Sequence, residues 1–286
     1  MIEVVAEELA FPEGPVVMGD GSVIVVEIAG GRITRCWSGR KETICEIGGG
    51  PNGAAIGPDG ALYVCNNGGM DPAKMESASG PEARGRIERV DLATGKFERI
   101  YDACNGIPLE GPNDIVFDAD GGMWFTDLGK SHSGVRTASG LFTALADGSS
   151  IAPIDRRAVS YNGVGLSPDG ATVYVADTHQ ARLYRYARKV EEQRATWVAT
   201  APGHVAFDSL AVTARGSVCV ATLRQGGVTT VTPAGETSFQ PFDDRYVTNI
   251  AFGGADMRDA WLTFSTRGLL VKTRWDEPGL RLAFNA

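Results

Sequence analysis

The sequence predicts an all-β protein, a six-bladed β-propeller with four-stranded blades around a central channel. Three observations point there. A phrase made of an apolar run, a Gly- and Asp-rich turn and a second apolar run occurs six times. A second pair of apolar runs follows each copy. No amphipathic stretch of convincing helical length separates the pairs, which disfavours a parallel α/β fold. Six repeats of four strands make a propeller.

In chain order, the copies open at Pro12, Pro51, Pro112, Tyr161, Phe207 and, in degenerate form, Val247. They start 39 to 61 residues apart, the length of a four-stranded blade plus insertions. Asp20-Gly21, Asp59-Gly60, Asp120-Gly121 and Asp169-Gly170 supply the hairpin turns, where a positive φ is needed. Third strands open at Gly31, Gly85, Gly140, Ala181, Gly227 and Gly268. The apolar segment from Ile2 to Leu9 is expected to add an outer strand to the last blade and close the ring. Residues 1–286 are therefore read as a single propeller domain.

Composition narrows the function. A hydrophobic content of 43% is enough for a full core, and no apolar run reaches spanning length. The N-terminus has neither the basic nor the apolar region of a signal peptide. The five cysteines are odd in number and lack metal-site spacing, which suits reduced, buried thiols and a cytoplasmic location. A net charge of −8 without a basic run argues against nucleic acid and anionic membrane as partners. Composition leaves the oligomeric state open.

The second residue of each copy is Glu13, Asn52, Asn113, Asn162, Asp208 or Thr248. One Asn or Asp before a strand is an ordinary turn or cap residue. Five carboxylate or amide side chains in six equivalent places are harder to explain so, because a closed ring aims them at one point. Carboxylates gathered in a channel need a compensating cation. Two charges and two neutral amide oxygens match a hard divalent ion, with calcium favoured and magnesium, manganese or zinc as alternatives. Fourteen or fifteen residues further on stand Glu27, Asn66, Asp127, Asp177 and Thr222, expected as a second tier of oxygen ligands on the same face. The connections at 67–84 and 128–139 are long enough to form a lid there. The first holds Met70, Pro72 and Met75, the second Lys130 and His132.

Four motifs in this order, Pro12-Glu13-Gly14-Pro15, Gly111-Pro112-Asn113-Asp114, Asn162-Gly163 with Leu166-Ser167-Pro168-Asp169-Gly170, and Phe207-Asp208-Ser209, make the chain resemble the senescence-marker protein/gluconolactonase (regucalcin-like) family over nearly its whole length. The resemblance implies a catalytic divalent metal held by Glu13, Asn162 and Asp208, with Asn113 contacting substrate or completing the shell. It also implies hydrolysis of a lactone or related ester. Sugar lactonases of that family carry an Arg where this chain has Gly111, so a less polar small-molecule substrate is expected here.

In such a reaction Asp208 steers or deprotonates the water, and Asn113 donates to the oxyanion. His204, four residues before Asp208, is the candidate base or proton shuttle behind them. His132 could contact substrate from the lid, while His179 reads as a local cap and Trp124 as core. Arg156-Arg157 and Arg188-Lys189 read as solvated loop charge. No Ser-His-Asp elbow motif is present. A non-catalytic calcium- or ligand-binding propeller, and a metal-assisted lyase or cyclase, are the alternatives.

Overall fold

The computed structural model describes residues 2–71, 73–74, 76–189 and 194–285, with the side chains of Pro81 and Arg157 set aside. It has six four-stranded antiparallel sheets. Their first strands are Pro12–Val17, Pro51–Ile56, Pro112–Phe117, Tyr161–Leu166, Ala206–Val212 and Val247–Gly253. Each touches the next, and the sixth touches the first, so these strands line a closed channel. The ring is closed as expected. Strand Glu3–Ala6 pairs antiparallel with Leu269–Arg274, Glu3 opposite Lys272 and Val4 opposite Val271. Among the described residues there is no α-helix, and no helix long and apolar enough to cross a membrane.

Strand alternation explains how the blades pack. In blade 3, Ile115, Phe117, Met123 and Phe125 turn toward blade 2. Val116, Trp124 and Leu141 turn toward blade 4, which places Trp124 in the core as predicted. Six apolar clusters, one at each blade–blade contact, make up the interior. The cysteines are free, four of them buried, and burial pushes the Cys36 and Cys219 thiols up to about 12. Such thiols are poor nucleophiles. Arg188 is a correction to the sequence reading. Its guanidinium lies 2.6 Å from the buried Asp118, which also accepts the Trp124 indole N–H at 3.0 Å. This pair ties blade 4 to blade 3. Arg156 likewise stacks over Phe142, 4.9 Å from the ring centre, and the side chain of Arg157 lies outside the described residues.

One irregularity recurs in every blade. The register between first and second strands slips just after the second residue of the repeat, for example between Glu13 and Val16 and between Tyr161 and Val164. At Gly53 and Gly163 the next blade passes against the slipped backbone. A Cβ at Gly163 would lie 2.7 Å from the Asp208 carbonyl oxygen and 2.8 Å from Leu210 N. A Gly163→Ala substitution is therefore expected to lower stability by about 1–3 kcal/mol. It should also lower activity, because it displaces the Asp208 backbone. An unchanged urea midpoint would contradict this close approach.

The far end of the channel is closed by the C-terminal segment. Leu280 N donates to Val212 O at 2.8 Å, and Phe284 meets Phe117 edge-on. Together with the first strands of all six blades, this segment leaves a pocket of only about 80 Å³ there.

Candidate active site

At the other end lies a cavity of about 300 Å³, and all six flagged residues line it: Glu13, Asn52, Asn113, Asn162, Asp208 and Thr248. Each is buried. The slip in register lets one residue per blade point into the channel before regular pairing resumes. The structure thus brings together Glu13, Asn113, Asn162 and Asp208, the four residues of the first tier expected to hold a metal.

The electrostatics are costly. Burial pushes the Glu13 carboxyl up to about 7, against hydrogen bonds from Asn249 Nδ2 (2.7 Å) and the Gly14 N–H (2.5 Å). Burial, and then the charge of Glu13, pushes Asp208 well above the carboxylate range, opposed by the Asn162 side chain. A third acid, Asp114, sits one residue past the flag. It is pushed up to about 8 by burial and by Glu13, although it accepts the N–H groups of Ile115 at 3.0 Å and Val164 at 3.1 Å. Meanwhile, among the described residues, Glu13 Oε1, Asn113 Oδ1 and Asn162 Oδ1 are buried without a hydrogen-bond partner. Orphaned acceptors beside carboxylates that resist ionisation are the environment a hard cation would relieve. Among the described residues no three His, Cys, Asp or Glu side chains form a metal-holding group. An ion here would therefore draw on amide oxygens as well as on the two carboxylates, and the residues present fit one.

The second tier is corrected. Glu27 accepts from the Ala10 N–H (2.6 Å), Arg32 Nε (2.7 Å) and Thr34 Oγ1 (2.6 Å). Asp127 accepts the Glu110, Gly111 and Gly129 N–H groups, and Asp177 accepts Ser160 and the Gln180 N–H. Asn66 accepts the Gly50 and Gly68 N–H groups, and Thr222 pairs with Thr229. Glu27, Asn66, Asp127 and Asp177 turn back to pin the loop that enters their own blade, and none of the five lines the cavity.

The lid exists as two small hairpins, Met70–Asp71 with Glu76–Ser77 and Ser131–His132 with Val135–Arg136. They are joined by Ser131 N to Ser77 Oγ (3.0 Å), Ser133 N to Glu76 Oε1 (3.3 Å) and Lys130 Nζ to Asn67 O (2.6 Å). Met70 lines the cavity; Pro72 and Met75 lie outside the described residues. Gly111 is on the wall as well. A Cβ there would come within 2.5 Å of the Gly129 carbonyl oxygen, so the lid loop occupies the space a longer side chain would need.

The histidines are placed differently from expectation. His204 is exposed and outside the cavity wall, its Nε2 3.4 Å from Arg224, which does line the cavity. His132 sits half-buried in the lid without reaching the wall. His179, expected as a local cap, lines the cavity beside the Arg136 guanidinium. Desolvation and then the charge of Arg136 hold its pKa below the ordinary histidine value. The only sequence signal for it was its place just beyond a strand that ends on this face.

A family model described as the SMP-30/Gluconolactonase/LRE-like region matches residues 11–266. A gluconolactonase of Zymomonas mobilis is 29% identical over 203 residues, covering 63% of this chain and 52% of that protein. Lactonase drp35 of Staphylococcus haemolyticus is 27% identical over 226 residues, covering 76% of this chain and 64% of that protein. The chain thus spans between about half and two thirds of the length of these two relatives. Among solved structures, the calcium-binding protein regucalcin of Agrobacterium tumefaciens superposes with a TM-score of 0.79 at 18% identity, covering 99% of this chain and 96% of that one. At that identity the likeness is one of fold.

Proposed function

We propose that this chain, which belongs to the SMP-30/gluconolactonase/LRE-like family, is a divalent-metal-dependent hydrolase of a lactone or related ester. The observation that carries the reading is the group of orphaned, buried oxygens of Glu13, Asn113 and Asn162 beside Asp208, at the floor of a lidded cavity. Relatives named gluconolactonase and lactonase support the reaction class.

In this reading Glu13, Asn162 and Asp208 would hold the ion, and Asn113 would face both ion and substrate. A bound divalent cation supplies a Lewis acid for the lactone carbonyl and makes water easier to deprotonate. The chain's own residues do the rest. Asp208 accepts the proton of the attacking water as its oxygen adds to the carbonyl carbon. The side-chain amide of Asn113 donates to the oxygen on which negative charge develops. When the ring carbon–oxygen bond breaks, the departing alkoxide takes the proton back, and a hydroxy acid leaves. The hairpin lid and the plugged far end exclude bulk water. His204, exposed beyond Arg224, receives no step.

The test is hydrolysis of a panel of aliphatic, aromatic and sugar lactones after chelation, then after addition of calcium, magnesium, manganese or zinc. Activity should vanish with chelation and return with at least one ion. Undiminished turnover in the chelated protein would sink the metal assignment. Metal binding with no turnover of any lactone would favour the non-catalytic binding reading instead.

A further inference from the structure

The mouth of the cavity carries more positive than negative charge: one carboxylate of the lid, Glu76, lines it together with two arginines. Arg136, on the second lid hairpin, and Arg224, between the second and third strands of blade 5, both line the wall. Among the described residues neither has a carboxylate within ion-pair distance. The contrast with the other enclosed arginines is sharp. Arg32 meets Glu27 at 2.7 Å, Arg86 meets Glu88 at 2.6 Å and Arg188 meets Asp118 at 2.6 Å. In a chain of net charge −8, anionic partners are not scarce.

Arg136 is also short of hydrogen-bond acceptors. One terminal nitrogen donates to the Leu128 carbonyl at 3.2 Å, the other faces His179, and its Nε is buried with no partner among the described residues. Asp177 is the carboxylate whose charge reaches it, yet both Asp177 oxygens already accept from Ser160, with Oδ1 also taking the Gln180 N–H. Beside it, the buried hydroxyl of Thr178 lines the same wall and likewise lacks a partner. A fork-shaped cation with an idle donor, a second cation and an idle hydroxyl together suit a planar anion.

We propose that Arg136, Thr178 and Arg224 bind a carboxylate carried by the substrate, so that the preferred lactone is an acidic one and the product a hydroxy-dicarboxylate. This rests on the hydrolase reading above and specifies its substrate class. It also revises the expectation drawn from Gly111. The wall lacks a side chain there, but the lid loop that fills the space brings its own arginine.

The test compares γ-butyrolactone-γ-carboxylate with γ-valerolactone, in which a methyl group replaces the carboxylate. The KM of the wild-type protein should be at least about tenfold lower for the acid. Arg136→Gln should raise that KM about tenfold or more, with a much smaller change for γ-valerolactone, and Arg136→Lys should recover part of the loss. Calorimetry with cyclopentanecarboxylate and its carboxamide reads the same subsite without chemistry; only the carboxylate should bind, and Arg136→Gln should weaken it. If both lactones are hydrolysed with equal KM, and Arg136→Gln affects them alike, the carboxylate subsite is rejected while the hydrolase reading stands. If neither lactone is hydrolysed under any metal condition, the hydrolase reading fails and calorimetry decides the subsite. Binding that depends on Arg136 supports it, and no binding rejects it.

Discussion

Asp208→Asn and Glu13→Gln are each expected to lower kcat/KM for lactone hydrolysis by about a thousandfold, on the order of 4 kcal/mol in the barrier, while the propeller stays folded. Both changes are nearly isosteric, and the amide introduced by Glu13→Gln would keep an acceptor for the Gly14 N–H and the Asn249 side chain. What is lost is negative charge at the floor of the cavity and, at residue 208, the proton acceptor. Stability should move the other way. A buried carboxylate without a counter-charge is costly and a buried amide much less so, so in chelator both variants should unfold at a higher temperature than the wild-type protein at pH 8. Lactone turnover within tenfold of wild type in both variants would overturn the site assignment.

The second large effect is the pH dependence of the chelated protein. Unfolded carboxyls lose their protons near pH 4, whereas burial holds Glu13 to about 7, Asp114 to about 8 and Asp208 well above the usual carboxylate range. Between about pH 4 and pH 8 the unfolded chain therefore binds fewer protons than the folded one, and stability falls as pH rises. Glu13 alone accounts for something on the order of 3 kcal/mol across that window. Groups held below their usual range act elsewhere. Glu27, which burial opposes but Arg32, Ala10 and Thr34 hold down, stabilises the fold above pH 4 and loses that contribution only in stronger acid. A divalent cation favours the ionised forms, so added calcium should raise the unfolding temperature far more at pH 8 than at pH 5. A profile that stays flat in chelator from pH 5 to pH 8, with no response to any divalent ion, would show that these acids carry no unmet charge.

The repeats were legible because strand grammar is local. Apolar runs and Asp-Gly turns mark each hairpin, and a strand as short as Glu3–Ala6 could be assigned to the last blade because an incomplete sheet needed it. The cavity floor was legible for a related reason, since equivalent positions in a closed ring converge whatever fills them. Thr248 rather than Asn249 does line the cavity, as the repeat register implied; one residue on, Asn249 turns to Glu13. The errors arose where residue type and register leave direction undecided. Glu27 and Asp177 occupy the right height on the right face, yet each is claimed by the loop entering its own blade. His204 is nearer Asp208 in sequence than His179 is, but the loop carrying it runs outside, and Arg224 stands between it and the cavity. Arg188 read as surface charge until its partner Asp118, seventy residues earlier, came beside it.

By itself the sequence determined the six-fold repeat, the closure of the ring and the identity of the residues that meet at its axis, because hydrophobic periodicity and turn chemistry act over a few residues and symmetry extends them. Only the tertiary structure decided which oxygens are left without partners among the described residues, that the C-terminal segment closes the far end, and that Arg136 reaches the cavity mouth without an ion-pair partner among those residues. These depend on which groups distant in the chain compete for each donor and acceptor, and that competition is settled only when the blades are packed together.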